Sequence, residues 1–145
     1  MRKILSAFTC ISILALVLLP CPAVADALPT VNMQIGQHVI KVEFANTESQ
    51  RATGLMFRKQ LDENSGMLFD YHMPASVCMW MKNTFIPLSV AFIDQNGIIL
   101  NIEDMQPLTL TPHCSRGRIR YVLEMNQGWF ASREITPGSS ARIIP

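Results

Sequence analysis

Two runs of alternating residues, Leu88 to Asp94 and Ile98 to Glu103, are joined by Gln95-Asn96-Gly97. Asn96 and Gly97 both tolerate positive φ, as a tight hairpin loop requires. Leu88, Val90 and Phe92 face one way; Ile98, Leu100 and Ile102 answer them. That period of two is the mark of strands with one buried face. A hairpin cannot bury its apolar side alone, so the rest of the chain must supply further strands.

It does. Val31 to Ile35 and His38 to Phe44 flank Gly36-Gln37 and predict a second hairpin, with Ile40, Val42 and Phe44 on one face. Met67-Leu68-Phe69 reads as a short buried strand after Gly66, and Asp70 to Ser76, holding Pro74, as a loop. Val77 to Lys82 is the next strand, with Val77, Met79 and Met81 opposite Cys78, Trp80 and Lys82. Asp104 to Gly117 holds two prolines and reads as an irregular loop. Arg118 to Met125 returns as a strand whose Ile119, Tyr121, Leu123 and Met125 share a face, and Ala141 to Ile144 is the last.

Two short helices are expected between them. Thr47-Glu48-Ser49-Gln50 fits a capping box and predicts a helix reaching about Phe57. Asn126 predicts a cap for a second helix carrying Trp129 and Phe130. The predicted fold is mostly β (α+β): a curled antiparallel sheet, barrel-like or a small sandwich.

The first 25 residues read differently. Arg2 and Lys3 precede an apolar run from Ile4 to Leu19, and Ala23-Val24-Ala25 is a small-x-small site. This predicts a signal peptide over 1–25, cleaved before Asp26, and one domain over 26–145. The protein is then periplasmic or secreted. The alternative is a membrane anchor left uncleaved. The run is short for a span of about 20 residues, so no stable membrane insertion is expected after cleavage.

Charge narrows the partners. The chain has 12 Lys and Arg and 11 Asp and Glu. Arg2 and Lys3 leave with the leader, so the remainder carries −1 with histidines neutral. Such a domain has no global field to draw in nucleic acid or a membrane. Arg116, Arg118 and Arg120 form a basic strip, but no aromatic residues stand between them for bases to stack on. The strip reads as a solvated strand face.

Cys10 and Cys21 belong to the leader, which leaves Cys78 and Cys114. In an oxidising compartment a lone pair most simply forms one disulfide. It closes a loop of 36 residues, for roughly 3–4 kcal/mol in the chain-entropy account. Two thiolate ligands or a redox pair are the alternatives, and no CxxC is present.

The run Arg51-Ala52-Thr53-Gly54-Leu55-Met56-Phe57-Arg58 is followed by Gly66-Met67-Leu68-Phe69. Trp80-Met81-Lys82-Asn83-Thr84-Phe85-Ile86-Pro87-Leu88 and Leu123-Glu124-Met125-Asn126-Gln127-Gly128 come after. In this order the chain resembles domain-of-unknown-function family 192 over nearly all of residues 26–145. The resemblance implies a compact β-rich fold and no established activity. Many members carry an acidic residue after the Pro-Leu pair, where Ser89 stands here. The final turn is often Gly-Asp, where this chain has Gly138-Ser139. A role resting on a carboxylate at either position does not carry over.

Three chemistries fit the side chains. The first is a polar pocket for a small anionic molecule or a peptide, built from Lys82, Asn83 and Thr84. Arg51 and Arg58, seven apart on one helix face, close its far wall; Trp80 is an apolar wall and Glu124 a further polar group. The bland counterpart is that Asn83 and Thr84 brace a turn while Lys82 pairs with Glu124 or Asp94. The second is a Cu(I)-type carrier using Met67, His72, Met73, Met79 and Met81. Strand alternation points Met79 and Met81 away from Cys78 and Trp80, so core filling is the competing reading. The third is a hydrolase or transferase, with Cys78 or Cys114 as nucleophile, His113 or His72 as base, or Glu124 and Asp94 as an acid pair. No nucleophile elbow and no HExxH occurs. The sequence favours a non-catalytic binding module without a cofactor, copper being the alternative, and leaves its oligomeric state open.

Overall fold

A computed structural model describes residues 27–145. The leader expected over 1–25 and its cleavage site lie outside the described residues.

Nine strands form in the order β1 (Thr30–Ile35), β2 (His38–Ala45), β3 (Gly66–Ala75), β4 (Cys78–Met79), β5 (Leu88–Ile93), β6 (Ile99–Met105), β7 (His113–Cys114), β8 (Ile119–Asn126) and β9 (Ala141–Ile144). Seven make one sheet, β6-β5-β8-β3-β2-β1-β9, and β4 and β7 pair separately. The sheet curls until its two edges touch: Ile98 bridges Ser140, and Ile99 N–H donates to Ser139 O at 3.0 Å. It is a half-barrel closed at one corner, in keeping with the predicted mostly-β fold.

Both hairpins form, β1–β2 around Gly36 and β5–β6 around Asn96-Gly97. The sheet departs from the antiparallel expectation at one place. The connection from β2 to β3 makes them a parallel pair, Glu43 to Ala45 beside Met67 to Phe69. The phase of β6 also differs. A bulge at Leu100 puts Phe92 opposite Asn101 and Ile93 opposite Ile99. Ile99 and Ile102 therefore both pack into the barrel interior, while Leu100 packs on the outer layer. One extra residue re-phases everything after it.

The expected pair of short helices is not found. The Thr47 capping box closes both ways, Thr47 Oγ1 accepting from Gln50 N–H at 3.3 Å and Gln50 Oε1 from Thr47 N–H at 3.1 Å. The segment it starts, α1 (Glu48–Thr53), lasts six residues rather than reaching Phe57. Gly54 at φ 51°, ψ −135° ends it in a conformation nearly reserved for glycine. At the second site only a 3-10 turn forms, Ala131–Arg133. Asn126 does not cap it; its amide donates to the carbonyls of Leu61 and Asp62.

Two apolar layers result. The barrel interior holds Met33, Ile35, Val42, Leu68, Ala91, Ile93, Leu123, Met125, Trp129 and Phe130. The outer face of β3, β5 and β8 is covered as well, with Met67, Phe69, Val90, Phe92 and Val122 packed against Leu55, Val77, Met81 and Ile86 from the loops. So β5 is buried along its whole length. Tyr121, Leu123 and Met125 face inward as expected, but Ile119 belongs to the outer layer. The β3–β8 register breaks at this level, where Asp70 to Ala75 of β3 oppose only Tyr121 to Ile119 of β8.

Candidate functional site

The loops over the outer face leave a cavity of about 190 Å³. One wall is the end of α1 and the turn after it, Arg51 to Met56. The other is Cys78, Met79 and Trp80, with Phe69, Tyr71, Thr84 and Glu124 completing the lining.

Alternation on β8 sends Glu124 outward, between Met67 on β3 and Val90 on β5, both fully buried. Glu124 itself is 4 % exposed, and none of the described residues donates a hydrogen bond to its carboxyl. Among the described residues no fully sealed side-chain polar atom lacks a partner, so its oxygens meet solvent through the cavity. Burial without a donor penalises the charged form and pushes its pKa up to about 8. In its protonated form, which burial favours, Glu124 is a carboxylic acid and can donate a hydrogen bond.

Arg51 is held by two backbone carbonyls. Its Nη1 donates to Asn46 O at 3.0 Å and to Asp70 O at 2.8 Å, leaving the rest of the fork for a ligand. The guanidinium stands 5.2 Å from the centre of the Tyr71 ring. Burial raises the Tyr71 pKa; Arg51 opposes that shift and Glu124 adds to it. The phenol thus feels both charges, while Arg51 does not offset the upward shift of Glu124. The cavity lining thus carries one cation, Arg51, one buried carboxyl, Glu124, and the Tyr71 phenol. Tyr71 Oη donates to Met79 Sδ at 3.6 Å.

Arg51, Trp80, Thr84 and Glu124 are therefore brought together. Three other predicted members are not. Arg58 pairs with Glu43 at 2.7 Å in a separate depression lined by Gln60, Leu61 and Asp62. It leaves the Arg51 face because α1 ends at Gly54. Asn83 sits at φ 56° in a turn; its carbonyl accepts from Phe57 N–H at 2.8 Å and its amide contacts Met56 Sδ. Lys82 is exposed, with Nζ 5.6 Å from the Trp80 ring centre, and does not pair with Glu124. Thr84 is buried; its hydroxyl donates to Lys82 O at 3.3 Å and keeps its lone pairs as acceptors.

The sulfur set is dispersed. Met67 and Met81 are core residues and Met73 is 72 % exposed. Met79 lines the cavity, and His72 Nε2 is engaged with Asn46 O at 2.7 Å. Among the described residues no group of three or more His, Cys, Asp or Glu is placed to hold a metal. Asp94 is occupied by the amides of Asn96 and Ile98, each at 2.8 Å, away from Glu124. Cys78 and Cys114 form a disulfide directly across the β4–β7 ladder.

Tyr71 lies outside the predicted site because Asp70 to Ser76 reads as a loop in the sequence, whereas β3 runs on to Ala75. The alternation Met67, Phe69, Tyr71 carries the signal that β3 continues. Asp70 lies outside the predicted site as well. Its carboxylate takes a two-pronged contact from Arg120 at 3.2 Å and accepts from His72 N–H at 2.7 Å. Burial alone would raise its pKa, but these hydrogen bonds and the Arg120 and His72 charges bring it below its usual value.

These features define a class: a curled β-sheet domain whose outer face is roofed by loops over a small cavity with one cation and one buried acid. The chain belongs to domain-of-unknown-function family 192, the Uncharacterized ACR family, whose profile matches residues 30–143. Two solved structures are similar. One is from Sinorhizobium meliloti, a protein provisionally described as a transcription regulator: 35 % identity, TM-score 0.78, covering 81 % of this chain and 95 % of that one. The other is a protein of unknown function from Novosphingobium aromaticivorans: 34 % identity, TM-score 0.78, covering 81 % and 88 %. No curated protein matches.

Proposed function

We propose that this is an exported, non-catalytic module that binds a small organic carboxylate in the cavity between α1 and β4. Arg51 supplies the charge, Glu124 donates as a carboxylic acid, and Thr84 and Tyr71 add hydroxyls. Trp80, Phe69, Met56 and Met79 take the apolar part of the ligand. The observation that carries the reading is the Glu124 carboxyl: buried, without a donor, and in the same cavity as Arg51. With Glu124 neutral the cavity is cationic at pH 7 and attracts an anion. With Glu124 ionised the two charges cancel and that attraction is lost.

The test is titration with isovalerate at pH 6, 7 and 9, followed by the Trp80 indole signal in NMR. Binding at pH 6 and 7 that fades by pH 9, and that is abolished in Arg51→Met, is the expected result. Glu124→Gln keeps a donor at every pH and should remove the fall at pH 9. A carboxylate that binds Arg51→Met as well as the native protein refutes the proposal. An ammonium ligand would instead bind the ionised Glu124 and release a proton, which calorimetry in two buffers detects.

A further inference from the structure

The cavity accounts for only part of an unusual surface. Trp80 lines the cavity, and Phe57, Phe85, Leu108 and Leu110 lie on segments adjoining or bonded to its lining residues; each of the five is about half exposed or more. Backbone bonds knit their segments together: Phe57 N–H to Asn83 O at 2.8 Å, Met81 N–H to Thr109 O at 3.1 Å and Leu108 N–H to Thr84 O at 3.1 Å. Phe57 and Phe85 meet edge to face at 6.4 Å. Phe57 at φ 64° and Leu108 at φ 61° hold left-handed backbone, which bulky side chains disfavour. Two large apolar side chains are thus kept outward in conformations they do not favour.

The cavity wall opposite α1 is also a strand edge. Ser115 N–H donates to Val77 O at 2.8 Å, so Val77 and Ser115 are a hydrogen-bonded pair and Cys78 and Cys114 are not. Alternation then turns the N–H and C=O of Cys78 and of Trp80 away from β7. Among the described residues nothing pairs with the backbone of Trp80, and β4 has no second neighbour strand. Cys78, Met79 and Trp80 line the cavity consecutively. Successive side chains point to opposite faces, so three in a row mean that the backbone edge itself looks in.

We propose that the cavity is the anchoring end of a groove for a peptide C-terminus. The partner segment adds to the free edge of β4 as a strand, its terminal carboxylate reaches Arg51 and Glu124, and its apolar side chains cover Phe57, Phe85 and Leu108. The inference rests on the carboxylate reading of the cavity. Charge complementarity fixes the anionic end, with Arg51 inside and Lys82 at the rim. The open edge fixes the class of body: alternating N–H and C=O groups reward a polypeptide, which can pair with them, and give an acyl chain nothing. A free small carboxylate would leave the apolar rim uncovered.

The disulfide-bonded protein is tested against a random library of seven-residue peptides with free carboxylates and against its amidated copy. Selected peptides are resynthesised with alternate backbone amides N-methylated. Isovalerate and decanoate are measured alongside. The expected result is enrichment from the free-acid library alone, about tenfold weaker binding on amidation, and about tenfold weaker binding on N-methylation at one alternate set of positions. If isovalerate or decanoate binds as tightly as the best peptide, or N-methylation costs nothing, strand addition is overturned while the carboxylate cavity stands. Absence of peptide enrichment, with isovalerate still bound, overturns strand addition in the same way. If neither peptides nor carboxylates bind, both readings fall together.

Discussion

Arg51 donates to the backbone carbonyl of Asp70, 19 residues further along the chain, at 2.8 Å. The contact fastens the short α1 to β3 and aims the guanidinium at the cavity. Asp70 is itself pinned through its carboxylate by Arg120 on β8. The cation of the site is therefore positioned by the sheet rather than by its own six-residue helix, which is too short to be stable alone.

Arg51→Met tests that coupling. It keeps much of the side-chain volume and removes the charged donor, so Asn46 O and Asp70 O each lose the hydrogen bond it gave them. We expect a loss of about 2 kcal/mol in urea unfolding together with loss of isovalerate binding. Asp70→Asn should weaken binding less, because the carbonyl that holds Arg51 remains.

Glu124 gives a pH dependence of definite sign. Its folded pKa, about 8, lies above its unfolded value. The native state therefore holds the proton more tightly, and the stabilisation is fully present below the usual carboxylate range. As pH rises from about 4.5 towards 8 the unfolded chain loses its proton first, and stability falls by at most about 1.4 kcal/mol per pH unit. Urea midpoints for the native protein and Glu124→Gln should diverge across that window, with the variant flatter and relatively more stable at pH 8. Asp70 acts in the opposite sense at low pH: its folded pKa is depressed, so its contribution is lost as pH falls through the acid range.

The disulfide makes a separable prediction. The β4–β7 ladder has two residue pairs, and both cysteines are exposed. Cys78→Ser with Cys114→Ser should cost roughly 3–4 kcal/mol through the 36-residue loop. Hydrogen exchange should rise first at 77–81 and 109–115, before the seven-stranded sheet is affected. Equal acceleration across β3, β5 and β8 would show that the ladder is not an independent unit.

Local chemistry was the legible part of this fold. The Thr47 box, the Asn96-Gly97 hairpin and the period-two faces of β2 and β5 are written in neighbouring residues, and Cys78 and Cys114 are the two cysteines that lie outside the first 25 residues. Partners distant in sequence were not legible. Nothing near Glu43 announces that it will lie parallel beside Met67, and no local signal marks Leu100 as the bulge that turns Ile102 over. The site divides along the same line. Trp80, Thr84, Arg51 and Glu124 could be named from residue type, but the depth of Glu124 depends on Met67 and Val90 closing over it from two other strands. Arg58 shares a face with Arg51 only on a helix that continues, and Gly54 ends it.

Asn83 separates a bracing role from a binding one. At φ 56° its backbone lies where glycine is at ease and β-branched residues are strained. Its carbonyl, not its side chain, holds Phe57, and its amide reaches only the Met56 sulfur. Asn83→Gly should leave stability within about 0.5 kcal/mol and isovalerate affinity unchanged. Asn83→Val should cost about 1–2 kcal/mol and loosen the Phe57–Phe85 contact, seen as faster exchange of the Phe57 amide. If Asn83→Gly instead lost ligand binding at full stability, the side chain would belong to the site, and the cavity would extend past Thr84 to include it.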